Sequence, residues 1–187
     1  MGIREDLGVT PIELVRAKEE EIKFNLFEAA FAVDEAGNAV MDRAGELFRI
    51  DFTQEEVERL RAERGVIFTH NHPRGWEYPV SNPLRAGSSF SEADVAFACG
   101  AEVAEMRVVT PTRRFFLRPA DDGWSRAYWN DALRPVFARH EAEVQREFRL
   151  RVRQRQMSWE EAGAEDMHEI WSRVATEVGL TYGREQE

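Results

Sequence analysis

Three shortages narrow this chain before any motif is read. Cys99 is the only cysteine, which excludes an intramolecular disulfide framework and a zinc site built from several thiolates. Any metal site must therefore draw on His, Asp or Glu. No apolar run approaches the roughly 18 to 20 residues needed to span a bilayer, and Met1 to Leu7 lacks the apolar core of a secretory leader. The expected location is cytoplasmic, with no membrane contact. Basic residues are the third shortage: 25 Lys and Arg stand against 35 Asp and Glu, a formal charge of -10. Broad phosphate contact needs the opposite balance, so nucleic acid is not an expected partner.

What remains suits a folded chain: 43% hydrophobic and 32% charged residues are enough for one substantial core. Thr10-Pro11-Ile12-Glu13 has the form of a capped helix start, predicting a helix to about Lys23. Leu26 to Asp34 and Ala39 to Asp42, joined by Asp34-Glu35-Ala36-Gly37-Asn38, predict a hairpin, and alternation over Leu47 to Phe52 predicts a third strand. Thr53-Gln54-Glu55-Glu56 caps a helix that Gly65 ends, and Val66 to Thr69 reads as a buried strand. Arg74 to Phe90, with Gly75, Pro79, Pro83 and Gly87, is a long loop. A helix from Ser91 to about Gly100 and strands over Val103 to Thr110 and Arg114 to Leu117 complete a core ending near Pro119, with Asp121-Asp122-Gly123 as a break.

The expected fold is therefore α+β, a mixed central sheet flanked by helices over residues 1–120, with a helical extension over 121–187. In that extension Leu133, Val136, Phe137, His140, Val144 and Phe148 recur at helical spacing, Pro135 must kink the helix or sit near its start, and Ser158-Trp159-Glu160-Glu161 caps a last helix. Trp124, Tyr128 and Trp129 are expected to pack this extension onto the core, with a homodimer contact as the other use for them. Arg146, Arg149, Arg151, Arg153 and Arg155 crowd one segment, which reads as a solvated helix face diluted by Glu141, Glu143 and Glu147.

The chemistry concentrates in Val66 to Asp94. His70 and His72 end an apolar run, and alternate residues of a strand share a face, so two imidazoles are presented together. They are either polar residues finishing a strand or two ligands for one ion. Asp94, three residues after Ser91, is a helix-capping carboxylate that can also serve as a third ligand, leaving one position open as catalytic zinc sites do. A hydrolase also needs a base. Glu28, a lone acid entering an apolar strand, is the first choice and Glu46 the second. His140 and His168 read as packing or surface residues.

Glu28, His70-Asn71-His72-Pro73 and Ser91-x-x-Asp94, taken together, resemble the JAMM (MPN+) zinc metalloproteases, whose pattern is Glu, then His-x-His-Pro, then Ser-x-x-Asp. The His-Asn-His-Pro form is also similar to the RadC-like branch and to JAMM-type domains of bacterial and phage proteins. The resemblance covers roughly residues 24 to 118. It implies an MPN/cytidine-deaminase-like core, with Zn2+ held by His70, His72 and Asp94 and a water as fourth ligand. It further implies Glu28 as the base, Ser91 as oxyanion donor, and hydrolysis of a peptide or isopeptide bond, at the tail of a ubiquitin-like conjugate among the options. A non-catalytic interaction module of the same fold is the alternative reading, and a RadC-like role on DNA, with the Arg146 to Arg155 segment behind it, is a third. The Pro73 to Ser91 gap exceeds the family's by roughly ten residues, predicting an inserted flap over Trp76 to Leu84 that shapes or covers the substrate groove.

Overall fold

The computed structural model describes residues 8–120 and 123–186. The leader reading of Met1 to Leu7, and Asp121 and Asp122 at the expected break, lie outside the described residues. The architecture is α+β: a six-stranded mixed sheet of order β2-β1-β3-β4-β5-β6 with helices on its faces. Its strands are β1 (Ala29–Val33), β2 (Ala39–Ala44), β3 (Ile67–Asn71), β4 (Glu105–Val109), β5 (Arg113–Arg118) and β6 (Thr181–Gln186). Only β3 and β4 run parallel.

That one parallel pair matters for the site. Parallel neighbours need a crossover, which usually carries a helix. Here the crossover contains α3 (Glu92–Ala101), so the chain leaving β3 comes back through the start of α3. Alternation sorts β3 between two faces. Phe68 and His70 line a cavity with Asp94 and Phe97 of α3, whereas the Thr69 hydroxyl donates to Glu19 of α1 (Pro11–Ile22) at 3.0 Å on the other face. There, Arg107 of β4 donates to Glu19 at 2.7 Å and to Glu105 at 2.6 Å, an ion network closed off from solvent.

The capping boxes at Thr10, Thr53, Ser91 and Ser158 all form, so α1, α2 (Gln54–Ala62), α3 and α6 (Trp159–Val178) start where local chemistry dictates. Leu47 to Phe52 is a correction. It is irregular chain rather than a strand, because Glu46 N–H bonds to Arg49 O and folds the backbone back on itself. A side chain at Gly45 would meet Arg49 O at 2.5 Å, so this tight return needs glycine. The alternating pattern there reflects partial burial of Ile50 and Phe52 against the core, not sheet pairing.

Pro135 stands near the start of α5 (Arg134–Arg153), just after a π-helical turn over Trp129–Leu133 that continues from α4 (Arg126–Tyr128). The wider turn accommodates the proline without breaking the helical run. Trp124, Trp129, Leu133 and Trp171 belong to the same buried cluster as Phe68 and Val108, and Trp171 Nε1 donates to Phe90 O at 2.8 Å. The part after residue 123 also supplies β6, which pairs along the whole of β5. No helix among the described residues is long and apolar enough to cross a membrane.

Candidate metal centre

Three ligand atoms converge where β3 ends and α3 begins. His70 Nε2 and His72 Nε2 lie 3.0 Å apart, His70 Nε2 is 3.4 Å from Asp94 Oδ1, and His72 Nε2 is 3.4 Å from Asp94 Oδ2. A tetrahedral ion with ligands about 2.0–2.1 Å away has neighbouring ligand atoms about 3.3 Å apart. Each histidine faces its own Asp94 oxygen at close to that spacing, and with one atom taken from each residue all three lie within 4.8 Å of one another, so the group could hold a metal ion.

Each ligand is aimed by its own element. His72 Nδ1 lies 3.0 Å from Ser88 O. If that nitrogen carries the proton, as a backbone acceptor requires, Nε2 presents a lone pair to the site. His70 Nδ1 is buried and has no hydrogen-bond partner, so packing within the strand, near the Phe68 ring, orients this imidazole. Asp94 is held by the cap: its Oδ2 accepts Ser91 N–H at 2.7 Å, while Ser91 Oγ accepts Asp94 N–H at 3.2 Å. Burial opposes charge on Asp94, yet the two imidazoles outweigh it and hold the carboxyl well below its ordinary range. Burial likewise opposes charge on His72, and Asp94 and the Ser88 carbonyl outweigh it and hold that pKa above the ordinary imidazole value.

Glu28 stands immediately before β1. It lines a cavity of about 280 Å³ together with His70 and Asp94, and also a groove of about 650 Å³ together with His72. Burial raises its pKa, Asp94 adds to the rise, and the two histidines oppose it. Glu46 is exposed and lines neither cavity; it contributes its backbone carbonyl, which accepts Glu28 N–H at 2.8 Å. Ser91 is exposed at the helix start beside Asp94. The structure therefore brings His70, His72 and Asp94 into contact, with Glu28 facing the same space and Ser91 attached through Asp94.

Sequence reading passed over Asn71, which turns to the opposite face from the two histidines. Its Oδ1 accepts Ala29 N–H at 2.6 Å and its Nδ2 donates to Phe27 O at 3.0 Å. The available signal was strand alternation itself: a polar residue between two candidate ligands must point to the opposite face of the sheet. The Arg74 to Phe90 loop forms two short 3-10 turns, Pro73–Glu77 and Pro83–Ala86, and supplies one wall of the groove. Arg85 braces it, stacking 4.0 Å over Trp76 and donating to Tyr78 O at 3.0 Å. His168 lies elsewhere, 2.8 Å from Tyr182 OH, which in turn meets Ser89 Oγ at 2.9 Å. His140 lies 2.9 Å from Glu177. The arginines from 146 to 155 are exposed, as a solvated face requires.

Comparison with protein-family models, with curated proteins and with solved structures gives no match, so the site is read from its own geometry.

Proposed function

We propose that this chain is a cytoplasmic zinc-dependent metallopeptidase or isopeptidase, acting on a protein or peptide substrate that includes the tail of a ubiquitin-like conjugate among its candidates. One observation carries the reading: three nitrogen and oxygen ligands converge beside an open groove that a raised-pKa carboxylate also faces. The residue order, Glu28, then His70-x-His72-Pro73, then Ser91-x-x-Asp94, agrees with the JAMM pattern. His70, His72 and Asp94 would hold zinc, which when bound supplies Lewis acidity and lowers the pKa of water.

The chain's own groups do the rest. Glu28 takes a proton from the attacking water and returns it to the departing amine, a task that a carboxyl with a raised pKa performs well near neutral pH. Ser91 uses its lone pair on Asp94 N–H, which leaves its own O–H proton for the developing oxyanion. The groove holds the acyl and amine segments in line.

The test is metal analysis joined to a cleavage panel of linear peptides and ubiquitin-like conjugates, run with wild type and Glu28→Gln. One zinc per chain in both proteins, with cleavage by wild type alone, is the expected result. Absence of both metal and cleavage overturns the reading, and undiminished cleavage by Glu28→Gln overturns the assignment of the base.

A further inference from the structure

The groove before His72 has one feature that the hydrolytic reading leaves unused. Asp166, on the face of α6 that lines the groove, is half-buried. Its Oδ1 accepts Met167 N–H at 2.6 Å, and among the described residues no cation stands within ion-pair distance of it. Its charged neighbour Glu141 has the same sign. Arg149 lines an adjoining depression with Asp166 without pairing to it, and Arg74 is on the exposed rim of the groove. A partly desolvated carboxylate left this way is costly to the protein alone and favourable once a ligand brings a cation.

The surroundings indicate what shape that cation has. Trp159 lines the groove about two helical turns before Asp166 and is 62% exposed, and Met167 follows on the same wall. An aromatic face and a thioether beside a carboxylate suit a long alkyl stem ending in a positive group, since such stems lie along apolar surface while the head pairs with the acid. Gly163, between them, keeps the wall low; a side chain there would press Leu84 at 3.1 Å. The volume of about 650 Å³ is ample for a side chain together with the backbone that bears it.

We propose that this groove selects chains bearing Lys or Arg close to the bond presented at the metal centre, with Asp166 pairing the cation and Trp159 and Met167 flanking its stem. The consequence for catalysis rests on the hydrolase reading; the recognition itself does not.

The test uses hexapeptide pools that are random except at one position, fixed as Lys, Arg, Gln, norleucine or Glu. Each pool competes with a fluorescein-labelled Lys pool for zinc-loaded Glu28→Gln protein, with and without Asp166→Asn, Asp166→Glu or Asp166→Lys. The Lys and Arg pools are expected to bind about tenfold more tightly than Gln or norleucine, the usual size of one charge-assisted hydrogen bond. Asp166→Asn abolishes that preference, Asp166→Glu keeps part of it, and Asp166→Lys moves it to the Glu pool. Absence of a basic preference, or its survival in Asp166→Asn protein of unchanged circular dichroism and zinc content, overturns the proposal. Incubating the same pools with wild type separates the two readings. Basic-selective binding with no cleavage of any pool removes the hydrolase and leaves the groove, whereas cleavage indifferent to Lys and Arg removes the groove assignment and leaves the hydrolase.

Discussion

Asn71 holds the backbone on both sides of Glu28, donating to Phe27 O and accepting from Ala29 N–H. The residue between two candidate ligands at the end of β3 thus fixes the residue proposed as base, which stands just before β1. Asn71→Ala removes both bonds and leaves the buried Ala29 N–H unpaired, a cost of about 1–3 kcal/mol. Because a shift of about 1 Å in a reacting group can cost 10²-fold in rate, turnover is expected to fall about a hundredfold with zinc content unchanged. Equal turnover in Asn71→Ala and wild type would show that the bracket has no bearing on the base.

Glu28 itself gives a stability prediction for the metal-free protein. Burial raises its folded pKa, so the folded state binds its proton more tightly than the unfolded state does. For an acid shifted upward, stability falls as pH rises from the ordinary carboxylate value through the raised one. Glu28→Gln protein stripped of metal should therefore be more stable than wild type at pH 7 and equal to it below about pH 4. Denaturant midpoints across this range measure the difference, and added zinc, which places positive charge beside the carboxylate, should shrink it.

Chelation should remove function without unfolding the chain, since the core is a continuous apolar cluster independent of the ligands. At a thousandfold excess of zinc over Kd, binding contributes about 4 kcal/mol, equivalent to a rise in Tm on the order of 10 °C for a chain of this size. His72→Ala should abolish the zinc-dependent rise alone. Asp94→Ala should also lower the zinc-free Tm, because it removes the carboxylate that accepts Ser91 N–H in the α3 capping box, a hydrogen bond worth about 1 kcal/mol.

The strongest stability effect is expected far from the metal. Arg107, 1% exposed, neutralises Glu19 and Glu105 at once. Arg107→Ala leaves Glu19 with Arg114 and Glu105 with Arg118 as their remaining partners and should cost about 3 kcal/mol, the lower end for breaking a buried pair. The triple replacement of Arg107, Glu19 and Glu105 by Met should recover much of it, which urea denaturation can measure.

Local chemistry was legible in the sequence wherever it was self-contained. Thr10, Thr53, Ser91 and Ser158 mark helix starts because each bonds within three residues of itself. The grouping of His70, His72 and Asp94 was readable because strand alternation and a helix cap place them with little reference to the rest of the chain. What escaped depended on distant partners. Thr181 to Gln186 has only Tyr182 as a large apolar residue, and it is a strand because β5 offers an edge more than sixty residues earlier. Leu47 to Phe52 has the right alternation, but the return from Glu46 to Arg49 turns its backbone away from sheet pairing. Asp166 is one of several acids on α6, and only the packing of α6 as a wall of the groove sets it apart.

That late-arriving wall separates two stages in the making of the site. Glu28, His70, His72 and Asp94 all precede residue 95, whereas Trp159, Asp166 and Met167 are synthesised long after them. A ribosome-bound chain exposed only as far as residue 120 already carries every proposed ligand and the base, with no α6 to restrict what reaches them. The residues proposed to select the substrate are thus added after those proposed to act on it, as the chain is completed and β6 pairs with β5.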